Sequence, residues 1–353
     1  RYISVTGVQT CALPIYFTLD IWNRNTSNML VQDPIPEVMG LASAPYVNIG
    51  EMKNTGFDIE IGYNNTAFDG ELKYRIAATG SHYKNEVVSL YSDPNRFGNG
   101  ANERQMLYSR YAVGHAFPEF WGYEVEGIFQ TQAEADAHPQ FGTTSYNAPG
   151  HFKYKDVNGR DADGNLTGQP DGKLNVDDRT WIGSPHPDFT GGLTIDLAWK
   201  GFDLNMFFYS SIGNDMINYV TRWIDYGQFN GNLSRKALYE SWGSPYLNGN
   251  NAAASLPMLD QNSNSQEPSS AFVQDASFLR MKNLQLGYTL PKSLLNKAQI
   301  KNLYIYLQMS NLFTITSYEG LDPEVNASGT YMGMDMGAWP TPRQVTFGVQ
   351  LGL

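Results

Sequence analysis

The sequence predicts an all-β fold, a transmembrane antiparallel β-barrel, and three observations lead there. Several stretches alternate apolar and polar residues at period two, which sends successive side chains to opposite faces of a sheet. The composition is rich in Tyr (22), Phe (18) and Gly (34) with only 17% charged residues, where a typical globular domain has about 25%. Short and long connections also alternate along the chain, as they do when one end of a barrel carries tight turns and the other carries loops.

The clearest strands set Leu193, Ile195, Leu197 and Trp199 on one face against Thr194, Asp196 and Ala198 on the other. Leu303, Ile305, Leu307 and Met309 alternate with Tyr304, Tyr306 and Gln308, and Val345, Phe347, Val349, Leu351 and Leu353 alternate with Thr346, Gly348, Gln350 and Gly352. Each stretch, with its flanks, reaches the roughly 9–11 residues a tilted spanning strand needs. Tyr16–Arg24, Phe57–Tyr63, Glu71–Val88, Gln105–Val113, Trp121–Thr131, Phe202–Ile212 and Ala276–Tyr288 bring the expectation to about ten strands. Lys200-Gly201 reads as a tight hairpin, while Val31–Gly56, Ser89–Arg104, Gln132–Asp188, Gly213–Asp275 and Thr314–Pro342 read as long loops, the fourth holding a short helix within Ser234–Trp242. An aromatic girdle at the headgroup level is expected of Trp121, Tyr123, Trp199, Phe202, Tyr288 and Tyr304.

Charge and cysteine usage exclude several functions. A net charge of -11 has the wrong sign for nucleic acid. The single cysteine, Cys11, lies in an opening, residues 1–15, that resembles translated sequencing-adapter read-through and is set aside as an artefact. The remaining chain, 16–353, then has no cysteine for disulfides, thiol catalysis or zinc. No nucleophile elbow or phosphate loop is present, and the five histidines lack paired ligand spacing, so an enzyme has no anchor.

Two constellations are candidate sites. Asp156, Asn158, Asp171, Asn175 and Asp178 approximate an interrupted EF-hand-type loop, with Arg160–Pro170 inserted; alternating oxygen ligands around a Gly turn suit Ca2+, and a solvated acidic loop held by Asx turns is the alternative. The loop aromatics Trp223, Tyr226, Phe229, Trp242 and Tyr246 offer flat apolar faces to sugar rings, or else pack loop against loop.

Five motifs resemble the SusC/RagA-like family of TonB-dependent outer-membrane transporters: Asn48-Ile-Gly-Glu-Met-Lys-Asn-Thr-Gly-Phe57, Gly122-Tyr-Glu-Val-Glu-Gly-Ile-Phe129, Phe152-Lys-Tyr-Lys-Asp-Val-Asn-Gly159, Ile182-Gly-Ser-Pro-His-Pro-Asp-Phe-Thr-Gly-Gly192 and Ser277-Phe-Leu-Arg-Met-Lys-Asn-Leu-Gln-Leu-Gly-Tyr-Thr-Leu-Pro291. Ser310-Asn-Leu-Phe-Thr314, Gly320-Leu-Asp-Pro-Glu324 and Pro340-Thr-Pro-Arg343 extend the likeness. One departure is the final Leu353, where the family usually has an aromatic.

The resemblance implies the C-terminal part of one plugged barrel of about 22 strands, without its plug and first strands. It further implies uptake of oligosaccharides or peptides, a SusD-like surface lipoprotein, TonB coupling through the missing N-terminal region, outer-membrane lipid around the wall, and no required cofactor. A secreted soluble carbohydrate-binding or adhesin domain, or a siderophore receptor, are the alternatives.

Overall fold

The computed structural model describes residues 14–33, 45–92, 97–142, 146–227, 229, 231–295, 300–325 and 327–352. Its largest element is one antiparallel sheet built from β1 (Ile15–Gln32), β2 (Tyr46–Ala67), β3 (Leu72–Ser89), β4 (Phe189–Trp199), β5 (Phe202–Ile212), β6 (Phe278–Thr289), β7 (Asn302–Ser310), β8 (Thr314–Thr316) and β9 (Gln344–Gly352). Neighbours follow chain order, with β9 beside β7 and the short β8 prolonging β7 along β6. Among the described residues β1 and β9 each pair on one side only.

The register explains why these segments are strands. Reading across it, Ile15, Tyr63, Ile76, Ile195, Met206, Leu284, Met309 and Val345 lie in one row on one face. The adjacent row, Asn64, Arg75, Asp196, Asn205, Gln285, Gln308 and Thr346, lies on the other. A one-residue slip of any strand would drive its polar set into the apolar face, so the alternation fixes the pairing. The apolar face carries large exposed side chains from end to end, among them Phe17, Ile61, Ile76, Leu286, Phe347 and Val349. Such a continuous surface needs lipid against it.

At one end, hairpins are tight. Lys200 and Gly201 both hold positive φ (49° and 90°), and a Cβ at Gly201 would come within 2.9 Å of the Thr289 carbonyl oxygen, so glycine is required there. At the other end, the described residues of 90–188, 213–277 and 317–343 leave the sheet and pack together as a canopy. The hydrophobic core sits in this canopy: Tyr108, Phe120, Tyr123, Phe141, Phe152, Tyr154, Ile217, Tyr226 and Phe272 are buried against one another. Within it, Gly98–Asn99, Ser109–Tyr111, Glu119–Gly122 and Thr180–Gly183 form a separate four-stranded sheet.

Two expected wall strands therefore belong to the canopy. Gln105–Val113 begins with positive φ at Arg104 and Gln105 and splits into two short strands, and Trp121–Thr131 divides between two different small sheets. Both pack against the canopy core, burying Leu107 to Ser109 and Trp121 to Tyr123 in succession. Removing this pair leaves the up-and-down parity intact, so every long connection stays at one end. β2 also starts earlier than expected, at Tyr46, because its first residues, Tyr46 to Asn54, pair with Arg24 to Gln32 beyond the length a bilayer needs. The short helix is Arg235–Glu240, capped by Ser234 Oγ, inside the predicted segment.

Of the six expected girdle aromatics, Trp199, Phe202 and Tyr288 form a row at the tight-turn end, the last two with ring centroids 4.4 Å apart. Trp121 and Tyr123 are buried in the canopy, and Tyr304 points inward to Asp203. Residues 1–13 and Leu353 lie outside the described residues, while Ile15, the last position set aside, is already paired with Tyr63.

The two faces make opposite demands on charge. Ile195→Arg is expected to weaken barrel insertion by about 2–4 kcal/mol, whereas Asp196→Asn on the inner face changes it little. The fraction of heat-modifiable barrel recovered from outer membranes reads both.

Candidate functional site

The inner face of the wall is a hydrogen-bonded ladder. Arg75 lies 3.7 Å from Asp196, which accepts from Asn205 Nδ2 at 2.5 Å; Asn205 in turn accepts from Asn283, and Asn283 from Gln308 at 2.9 Å. Nearer the tight turns, Gln285 donates to the Tyr304 hydroxyl, which donates to Asp203 at 2.8 Å. Of these groups Arg75, Asp196, Asp203 and Asn205, together with Asn64 and Lys73, line a recess of about 580 Å³. Two tyrosines lie flat across glycines on the neighbouring strand: a Cβ on Gly62 would strike the Tyr16 ring at 2.1 Å and one on Gly348 the Tyr306 ring at 2.2 Å. The ladder can hold polar, neutral or mixed-charge solutes and offers no lipid-compatible surface.

The canopy is tied to the wall by an ionic clamp. Arg280 on β6 is 3% exposed, and its Nη2 donates to Asp322 Oδ1 at 2.5 Å while Nη1 donates to Glu324 at 2.6 Å. Lys282, two residues along the same face, also holds Glu324. Asp322 further accepts from the backbone N–H groups of Glu324 and Thr341. Burial would raise the Asp322 carboxyl, but Arg280 and these two N–H donors overcome it and hold its pKa at about 2. Beside the clamp, Asn218, Thr221, Asp225, Ser234, Lys236, Glu319 and Asp335 line a cavity of about 290 Å³, in which burial pushes the Asp225 carboxyl up.

The five residues expected to hold calcium do converge, and they do so through the backbone. Asp178 is fully buried; Oδ1 accepts from the N–H of Val157 and Asn158, and Oδ2 from that of Asn175 at 2.8 Å. Burial, outweighing these donors, pushes its carboxyl up. Asp156 accepts from the N–H of Asp171 and Gly172, Asn158 Oδ1 from that of Gly168, and Asn175 caps the turn through Asp177 N–H. The inserted Arg160–Pro170 folds as its own Asx turn on Asp161, anchored by Arg160 on Asp177. Among the described residues no group of three or more His, Cys, Asp and Glu side chains is placed to hold a metal ion.

The five loop aromatics separate. Tyr226 is 2% exposed within the canopy core and presents no face to a ligand. Trp223 stacks on Phe229 at 4.4 Å beneath Arg104, and Trp242 donates to Gln130. Only Tyr246 is largely exposed, paired with Tyr239 at 4.5 Å. The clamp residues went unassigned at the sequence level, although the signal was present: Arg280 and Lys282 on one strand face, with Asp322 and Glu324 at the same spacing in a loop.

These features define a class: the wall of an outer-membrane β-barrel, closed at its long-loop end by a packed canopy. No protein-family model matches the chain. The TonB-dependent receptor P3 of Formosa agariphila is 31% identical over 348 residues, covering 95% of this chain and 32% of that protein. The TonB-dependent receptor SusC of Bacteroides thetaiotaomicron is 26% identical over 349 residues, covering 95% of this chain and 30% of that protein. Among solved structures, that of the RagAB peptide transporter superposes with a TM-score of 0.72 at 27% identity, covering 96% of this chain and 33% of that one. The chain is a portion of a SusC/RagA-like TonB-dependent outer-membrane transporter, and it spans about a third of the length of these relatives.

The clamp sets a pH dependence. Because the Asp322 carboxyl is depressed in the fold, its contribution is fully present above the unfolded value of about 3.9 and is lost as pH falls through about 2. The thermal midpoint of the complete transporter is expected to drop across that window in the wild type and not in Asp322→Ala, which at neutral pH is already destabilised by about 3–5 kcal/mol for leaving Arg280 buried and short of its partner.

Proposed function

We propose that this chain is the C-terminal part of an energised importer that carries oligosaccharides or peptides across the outer membrane, with residues 1–15 foreign to it and 16–353 forming one barrel domain with segments outside the chain. The observation that carries this reading is the two-faced sheet: an apolar outer face, a polar inner ladder, and a packed canopy over one end. A soluble adhesin has no use for the outer face. Outer-membrane barrels of this kind keep short turns in the periplasm and loops outside, which puts the canopy where solutes arrive. A SusD-like lipoprotein above the canopy and TonB below the barrel are the partners that fit, and catalysis has no part in it.

Substrate contact at Trp223, Phe229, Trp242 and Tyr246 belongs to the same proposal, with Tyr246 best exposed. Calcium at Asp156, Asn158, Asp171, Asn175 and Asp178 competes with backbone N–H groups that already occupy those oxygens, which favours a loop ordered by its own turns. An equal thermal midpoint in calcium and in chelator is expected; an increment in calcium that Asp156→Ala abolishes would restore the metal.

The import reading is tested by deleting the complete gene and comparing growth. Loss of growth on oligosaccharides or peptides too large for porins is expected, with growth on monomers and under iron limitation unchanged. A defect confined to iron-limited medium would make it a siderophore receptor.

A further inference from the structure

The four-stranded canopy sheet has a second face that the canopy core cluster does not use, with Trp121 buried in it. Phe120 and Ser109 point from the sheet into the canopy core. Strand alternation sends Arg110 and Trp121 the other way, where Trp181 pairs with Trp121 in the register. Phe97 joins them, 37% exposed, and Trp121 meets Trp181 edge-on at 5.0 Å and Phe97 at 5.7 Å. His115 stacks on Trp181 at 4.0 Å.

The guanidinium of Arg110 lies over two of these rings, its Cζ 5.0 Å from the Phe97 centroid and 4.6 Å from that of Trp121. Among the described residues it has no hydrogen-bond acceptor and no carboxylate partner, and its Nε is buried without a bond. Glu119, its cross-strand neighbour on the same face, is engaged by His115 at 2.8 Å and by the Ala116 N–H. Two further buried donors nearby lack acceptors, the indole Nε1 of Trp121 and Nε of Arg179. Burial, and then the charge of Arg179, push the Arg110 guanidinium down from its usual value. Arg110 is thus a cation without an ion-pair partner among the described residues, set with these unfilled donors against aromatic rings.

We propose that this face binds an acidic saccharide, with Arg110 anchoring a carboxylate or sulfate group and the rings of Phe97 and Trp181 taking the C–H face of the sugar. A guanidinium held against two aromatic rings is pre-organised for an oxyanion, and aromatic faces suit a pyranose better than an extended peptide backbone. The binding site stands on this geometry alone; that its ligand is a transported substrate rests on the import reading.

Calorimetry on the complete transporter in detergent tests it, using tetragalacturonate, a sulfated galactan tetrasaccharide, cellotetraose and tetraglutamate as probes. At least one acidic sugar is expected to bind about tenfold or more tightly than cellotetraose, and which one does so separates carboxylate from sulfate. Arg110→Gln should remove that difference and Arg110→Lys should keep part of it. In the wild type, raising the salt concentration should weaken the acidic sugar and spare the neutral one, a readout that does not depend on any variant folding. Equal affinity for acidic and neutral sugars, an undiminished preference in folded Arg110→Gln, or tetraglutamate binding as tightly as the better sugar would each overturn the proposal. Binding as expected without uptake of the same sugar would overturn the import reading and leave the site standing.

Discussion

The fold depends on one constraint: inside a bilayer no water is available to a backbone N–H or C=O, so every such group must find its partner in a neighbouring strand. Pairing along the full length of β1 to β9 follows, and with it the strict division of side chains between two faces. Once Ile195 is aligned with Ile76 and Met206, Asp196 has no choice but to meet Arg75 and Asn205. The inner ladder is thus the other half of the alternation that makes the outer face apolar. The same requirement holds at the edges, β1 and β9, which each pair on one side among the described residues.

A barrel wall is thin and has no interior of its own, and the large buried side chains of this chain lie almost entirely in the canopy. Three loops that leave the sheet at separate places share that core. Arg280 and Lys282 carry the only charges on β6 and spend them on Asp322 and Glu324. Covalent continuity supplies the rest, since each canopy segment is anchored at both ends by strands whose spacing the wall dictates.

Much of this was legible in the sequence, because period-two alternation is a direct consequence of the constraint that shapes the wall. β4, β5, β7 and β9 stand where their alternation put them. The failures have a common cause. Gln105–Val113 and Trp121–Thr131 carry the apolar and aromatic content of wall strands but bury consecutive residues, Leu107 to Ser109 and Trp121 to Tyr123, and nothing local tells lipid from core. Burial decided the fate of Tyr226 and of the girdle residues Trp121 and Tyr123 in the same way. The acidic loop shows a different limit: spacing located the carboxylates, but not the backbone N–H groups that compete for them. Arg280 and Asp322 were visible as charges and became a clamp only when distant segments were brought together.

The canopy core is assembled from parts far apart in the chain. Ser109 donates to the carbonyl of Thr330, and Tyr331 donates to Glu103, contacts spanning 221 and 228 residues. Contacts of such separation close late, because the intervening chain must first be ordered. The first canopy segment, residues 90–188, therefore has to wait for the last, residues 317–343, and the waiting ends only when β9 has been laid beside β7. Completion of the outer structure is in this sense a report that the wall beneath it is finished, delivered on the far side of the membrane from where the chain was made.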